Sequence, residues 1–193
     1  MKSCFLFGHA DCPDSMLPKI EEAIVNCYSK GVTAFYVGSR GRFDSLAATA
    51  VKRVKQQYSD IRLYLLLAYH PGERPIDPWD GFDGSYYPPL ENVPRPYAIV
   101  RGNRHMAENA DAIICYISHL GNTRNLLDYI KKKNRAFQYI ILRKRRNKDD
   151  SRIDVIELNP VSFRGCTAAV GIRSRLGITD CHEATPLAMT TLT

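Results

Sequence analysis

Short apolar runs alternate along this chain with stretches in which apolar residues return every third or fourth position. CFLFG (4–8) is a short run ending in glycine and predicts a first strand. In 17–31, LPKIEEAIVNCYSKG, one helical face collects Leu17, Ile20, Ala23, Ile24, Cys27 and Tyr28; Pro18 suits a first turn and Gly31 a C-terminal cap. TAFYVG (33–38) is a second strand, and Leu46, Ala47, Ala50, Val51 and Val54 mark the inner face of a second helix. IRLYLLLAYH (61–70) is apolar at nearly every position, as a strand covered on both faces must be. A short helix over 97–109, a strand DAIICYI (111–117), a helix TRNLLDYIKKK (123–133) and a strand FQYIIL (137–142) continue the rhythm. RIDVIEL (152–158) is a candidate last strand.

Alternation at this period predicts an α/β domain, a parallel sheet with helices on both faces, spanning 1–160. Two stretches break it. Residues 71–96 hold seven of the eleven prolines and the only Trp, and read as an irregular insertion without regular elements. Residues 161–193 have weak periodicity and many Thr, Gly and Ser, and read as a C-terminal tail. In such sheets a ligand sits outside the carboxyl ends of the strands, which selects the loops 8–16, 38–44, 69–96 and 117–123.

Composition adds limits. At 193 residues, 45% hydrophobic and 24% charged, the chain can bury a core, and no apolar run approaches the ~20 residues that span a bilayer. A first apolar run too short for a secretory leader points to a cytoplasmic protein with no membrane partner. Six cysteines at irregular spacings form no zinc pattern and read as free thiols, with no metal and no obligatory cofactor. The net charge of +7 is local: residues 131–148 carry nine Lys or Arg and no acid, leaving −2 for the remainder. That run is a candidate nucleic-acid contact through phosphates, with the dull alternative that lysines complement a helix C-terminus. A second copy of the chain is a further candidate partner.

Chemistry concentrates in the loops. Gly38, Ser39, Arg40, Gly41 and Asp44 stand between a strand and a helix, where unpaired N–H groups welcome an anion and Asp44 is placed as an N-cap. The plain alternative is a glycine turn with a capping Asp and two solvent arginines. Gly121, Asn122 and Thr123 form a second such loop, and the two would face one crevice. His9 follows Gly8 at the end of the first strand, and Arg101, Asn103, Arg104 and His105 precede the fourth. Asp11, Asp14, Asp44 and Glu108 are the carboxylates within sequence reach of the crevice; Asp44 and Glu108 are the candidates for hydrolysis of an N-glycosidic or phosphate bond. No nucleophile elbow, Walker loop or GxGxxG is present.

Together, FLFGHADCPDSM, GVTAFYVGSRGRFDSLAATAVKRVK, RLYLLLAYHP and RGNRHMAENADAIICYISHLGNTRNLLDYIKKK resemble the YpsA-like branch of the SLOG (SMF/LOG) superfamily over about 4–142. The resemblance implies a Rossmann-like, doubly wound, mainly parallel sheet of about five to six strands and a nucleotide or nucleotide-derived ligand. By position, its binding residues are Gly8, His9, Gly38, Ser39, Arg40, Gly41, Asp44, Arg101, Asn103, Arg104, Gly121, Asn122 and Thr123. Ala10 departs from the family's usual Arg, Gly121-Asn122-Thr123 replaces Gly-Gly-Thr, and Gly102 leaves the Arg-Asn pair open between two alignments. The lonely-guy phosphoribohydrolases carry a glutamate after their Gly-Thr, and none stands in the turn after Thr123. The expectation is a binder or sensor of a nucleotide-like signalling ligand. A nucleotide hydrolase and a single-stranded nucleic-acid binder are the alternatives.

Overall fold

A computed structural model describes residues 1–72, 81–133, 138–144 and 153–158. Seven strands and four helices follow in the order β1 (Lys2–Gly8), α1 (Leu17–Ser29), β2 (Val32–Val37), α2 (Arg42–Gln57), β3 (Arg62–Leu66), β4 (Gly84–Tyr86), α3 (Ala98–Asn109), β5 (Ala112–Ile117), α4 (Asn122–Lys132), β6 (Gln138–Lys144) and β7 (Ile153–Leu158). One sheet holds them in the order β4-β3-β2-β1-β5-β6-β7. β1 to β6 are parallel and β7 runs antiparallel on β6. This is a doubly wound, Rossmann-like α/β fold.

Alternate residues of β1 face opposite layers, as a pleated strand requires. Cys4 and Leu6 join the core under α1 and α2, with Ile20, Ile24, Phe43 and Val51. Phe5 and Phe7 join the core under α3 and α4, with Met106, Leu127 and Ile130. Every residue of β5 is buried, so the middle of the sheet is dry on both sides. Gly31 closes α1 at φ 86°, a left-handed conformation that glycine adopts without strain. Among the described residues Cys4, Cys12, Cys27 and Cys115 are buried thiols outside any disulfide. Among the described residues no helix is long and apolar enough to cross a membrane.

The insertion departs from the sequence expectation. Gly84–Tyr86 pair in parallel with Tyr64–Leu66, so part of 71–96 is a regular edge strand. What holds it is tertiary. The Asp83 carboxylate accepts the Leu63 N–H at 2.8 Å and Lys55 Nζ at 2.6 Å, tying the entry of β4 to β3 and α2. Burial raises the Asp83 carboxyl, but the Leu63 N–H and the Lys55 ammonium together bring it below its ordinary range. Its stabilisation is therefore present above an unfolded carboxylate pKa near 4 and is lost as pH falls through the lower folded value. Asp83→Ala is expected to cost about 1–3 kcal/mol at pH 7, with the difference from wild type closing in urea titrations as pH falls below the ordinary carboxylate range. Equal midpoints at pH 7 would show that β4 is not held this way.

The residues 73–80, 134–137, 145–152 and 159–193, the tail among them, lie outside the described set, and 134–137 and 145–148 of the basic run go with them. Of that run, Lys131 and Lys132 occupy the last turn of α4, where they complement the helix dipole.

Candidate functional site

From β1 the chain winds through α1, α2 and β2–β4 toward one edge; from β5 it winds through α4 and β6 toward the other. β1 and β5 are neighbours, so the crevice between their carboxyl ends is the topological switch point. A cavity of about 1040 Å³ opens there. Of the sequence candidates, Gly8, His9, Gly38, Ser39, Arg40, Gly41, Asp44, Asn103, Arg104, Gly121, Asn122 and Thr123 all line it. Arg101 does not; its side chain is exposed on the outer side of α3. The opposite wall is apolar, from Leu65, Leu66 and Leu67 to Ile99.

Glu108 is a correction. It does not border the cavity but pairs with Lys133 and accepts the Tyr129 hydroxyl, between α3 and α4. Asp14 is also outside, held by Arg42 at 2.6 Å, which turns that arginine away from the crevice. Asp11 and Asp44 do reach it.

The Gly38–Asp44 loop is organised from within. Gly41 is the N-cap of α2, and Asp44, expected as the cap, is instead the third helical residue. Its Oδ2 reaches back to the N–H groups of Arg40 at 2.9 Å and Gly41 at 3.2 Å. This is the returning half of a capping box. Gly38 makes room for it: a Cβ there would sit 2.9 Å from Oδ2. Burial pushes the Asp44 carboxyl above its ordinary range despite those two bonds. Arg40 extends over the Tyr69 ring, 5.3 Å from its centroid.

The start of α4 is arranged otherwise. Gly121, at φ 155°, is its N-cap, no side chain caps this end, and its first turn has no acid. Beside it lies His9, 5% exposed. His9 Nδ1 accepts the Ser118 N–H at 3.1 Å, so the ring proton is on Nε2. That Nε2–H is buried without an acceptor. A Cβ on Gly121 would lie 3.6 Å from it. Burial first, and His119 second, hold the His9 pKa below its ordinary value, against the smaller opposing pull of Asp11 and the Tyr116 backbone. His9 is therefore a neutral donor with nothing to donate to.

His119 stacks on His9, ring centroids 3.9 Å apart, and Asp11 faces His119 at 3.9 Å while accepting the Ser118 hydroxyl at 2.7 Å. His9, Asp11 and His119 bring potential ligand atoms within 4.8 Å of one another. The tautomer argues against a metal: with Nδ1 engaged by Ser118, His9 Nε2 carries a proton and has no lone pair to offer. Sequence reasoning missed His119 altogether and carried Asp11 only as one carboxylate among four. The signal available was their position just past β5 and β1, the two strands that bound the switch point. Compared with models of known protein families and with curated proteins, the chain matches none.

Proposed function

We propose that this protein binds a nucleotide or nucleotide-derived ligand in the cavity at the carboxyl ends of the parallel strands, as a binder or sensor with no catalytic step required. The observation that carries this reading is the buried, unpartnered Nε2–H of His9 beside the uncapped start of α4. A buried donor without an acceptor costs about 1–3 kcal/mol, so an acceptor-rich ligand group there relieves a defect of the empty fold. The first-turn N–H groups of α4 and their partial positive charge favour that group being an anion such as phosphate. Arg104 borders the same cavity, and the apolar wall from Leu65 to Leu67 offers a surface for a base. The SLOG resemblance implies the same ligand class.

Hydrolysis draws less support. Glu108 stands outside the cavity, and Asp44 already holds two backbone N–H groups.

Thermal unfolding in the presence of nucleosides, nucleoside monophosphates and inorganic phosphate tests the reading, together with mass spectrometry of small molecules released from the purified protein. A monophosphate at a hundred times its Kd stabilises by about 2.7 kcal/mol, a shift of several degrees. The matching nucleoside and inorganic phosphate alone are expected to do much less. Nucleosides and monophosphates acting alike, with no phosphorylated molecule released, would count against the reading.

A further inference from the structure

We propose that Asp44 makes the start of α2 a seat for a ligand hydroxyl, so that the cavity takes a ribonucleoside monophosphate with phosphate at α4 and a sugar hydroxyl on Asp44. The inference deepens the nucleotide reading and rests on it.

Both helices begin at the rim of one cavity, yet they offer opposite chemistry. At α2 the N–H groups of Arg40 and Gly41 are already taken by Asp44 Oδ2, and a carboxylate stands where a bound phosphate would have to sit. At α4 no carboxylate occupies the first turn, and His9 adds a donor. Of the two helix starts, one thus suits an anion and the other repels it. Asp44 Oδ1 has no partner among the described residues, and Asp44 borders the cavity. An open carboxylate oxygen is an acceptor only, so what meets it must donate: a hydroxyl rather than a second phosphate. Asp11, the other carboxylate on the cavity wall, lies at its mouth with a side chain 56% exposed and already accepts Ser118.

The spacing fits. β1 separates β2 from β5, so the two loops sit two strand spacings apart, about 10 Å. That span suits a sugar phosphate with a hydrogen bond of about 3 Å at each end.

Asp44→Asn keeps an oxygen for the Arg40 and Gly41 N–H groups and puts an amide NH2 in place of the open acceptor. A carboxyl raised by burial contributes stability below its unfolded pKa that is lost as pH rises through the folded value. At neutral pH the ionised side chain is therefore no asset, and the Asn variant is expected to fold.

The test is calorimetric titration of AMP, GMP, CMP and UMP, then of the 2′-deoxy and 3′-deoxy forms of the tightest. In the wild type, loss of one hydroxyl is expected to weaken binding by about tenfold to a hundredfold, the worth of a hydrogen bond to a charged group. In Asp44→Asn the ribonucleotide is expected to weaken similarly, with no further loss on removing that hydroxyl. Equal binding of ribo and deoxy forms by the wild type overturns the proposal and leaves nucleotide binding standing. So does discrimination that survives in Asp44→Asn, because another group then reads the sugar. If no monophosphate binds at millimolar concentration, the nucleotide reading itself falls and this proposal with it.

Discussion

Gly8→Ala is expected to destabilise the protein by about 1–3 kcal/mol, toward the upper end of the range for an overpacked core. A Cβ on Gly8 would sit 2.4 Å from Phe43 Cγ and within 2.8 Å of both Cδ atoms. Phe43 is fully buried and lies nearly parallel to Tyr116, with ring centroids 6.3 Å apart. The clash is with the root of the ring, not with a tip that can swing aside. Relief therefore requires the first turn of α2 to move, since Phe43 is its second residue. That turn also carries Asp44 and is capped by Gly41, whose own Cβ would approach the Ala10 Cα to 3.3 Å. The substitution is thus expected to lower the urea midpoint and also to weaken any ligand of the cavity. Phe43→Ala, which removes Cγ and both Cδ atoms, should cost less in the Gly8→Ala background than in the wild type, a non-additivity that reports direct contact. A Gly8→Ala protein as stable as wild type would show that β1 and α2 are not packed this closely.

The fold was legible because its signals are periodic. Leu46, Ala47, Ala50, Val51 and Val54 repeat at helical spacing and are all buried. The strand predicted at 111–117 is β5, buried at every residue, and its lack of alternation is what a central strand shows. β4 was not legible. Gly84, Ser85 and Tyr86 carry no period and follow a proline-rich stretch, and their strand exists because Asp83 fixes its entry and Tyr64–Leu66 offer an edge. Context decided there, not propensity.

The site was legible in place more than in chemistry. Glycines at the carboxyl ends of strands point to a crevice whatever their partners. The same glycines suggested a phosphate at 38–44, because sequence does not show where a carboxylate three residues into a helix will turn. Asp44 turned back onto the loop, and that decision is made by distance. The state of His9 was hidden for a similar reason. Its tautomer is set by the Ser118 N–H, 109 residues away in sequence.

His9→Asn is expected to weaken binding strongly and to cost the fold a modest part of its stability. Asn can place its Oδ1 near the position of His9 Nδ1 and keep the Ser118 N–H bond, while removing the Nε2–H that lacks an acceptor. The variant loses packing against the His119 ring and exchanges the unpartnered Nε2–H for the N–H groups of a shorter amide, a cost of about 1–3 kcal/mol. At pH 7.5 its stability should therefore lie about 1–3 kcal/mol below wild type, short of unfolding it. Affinity for a monophosphate should fall about tenfold to a hundredfold, because the shorter amide does not reach the place where Nε2–H meets the phosphate. Acid distinguishes the two proteins in a second way. The folded His9 pKa lies below its ordinary 6.5, so between the two values the unfolded chain holds a proton that the folded chain refuses. Wild-type stability should fall as pH drops through this window, and that component should be missing from the variant. Asp11 does not interfere, since the Ser118 hydroxyl holds its carboxyl below its ordinary range near 3.8, and His119 is common to both proteins. Bound phosphate should flatten the wild-type slope, because an anion at Nε2 favours the protonated ring. Unchanged affinity together with an unchanged pH slope would remove His9 from the site. What would remain is a helix start without a side-chain donor, and by itself that does not make a phosphate site.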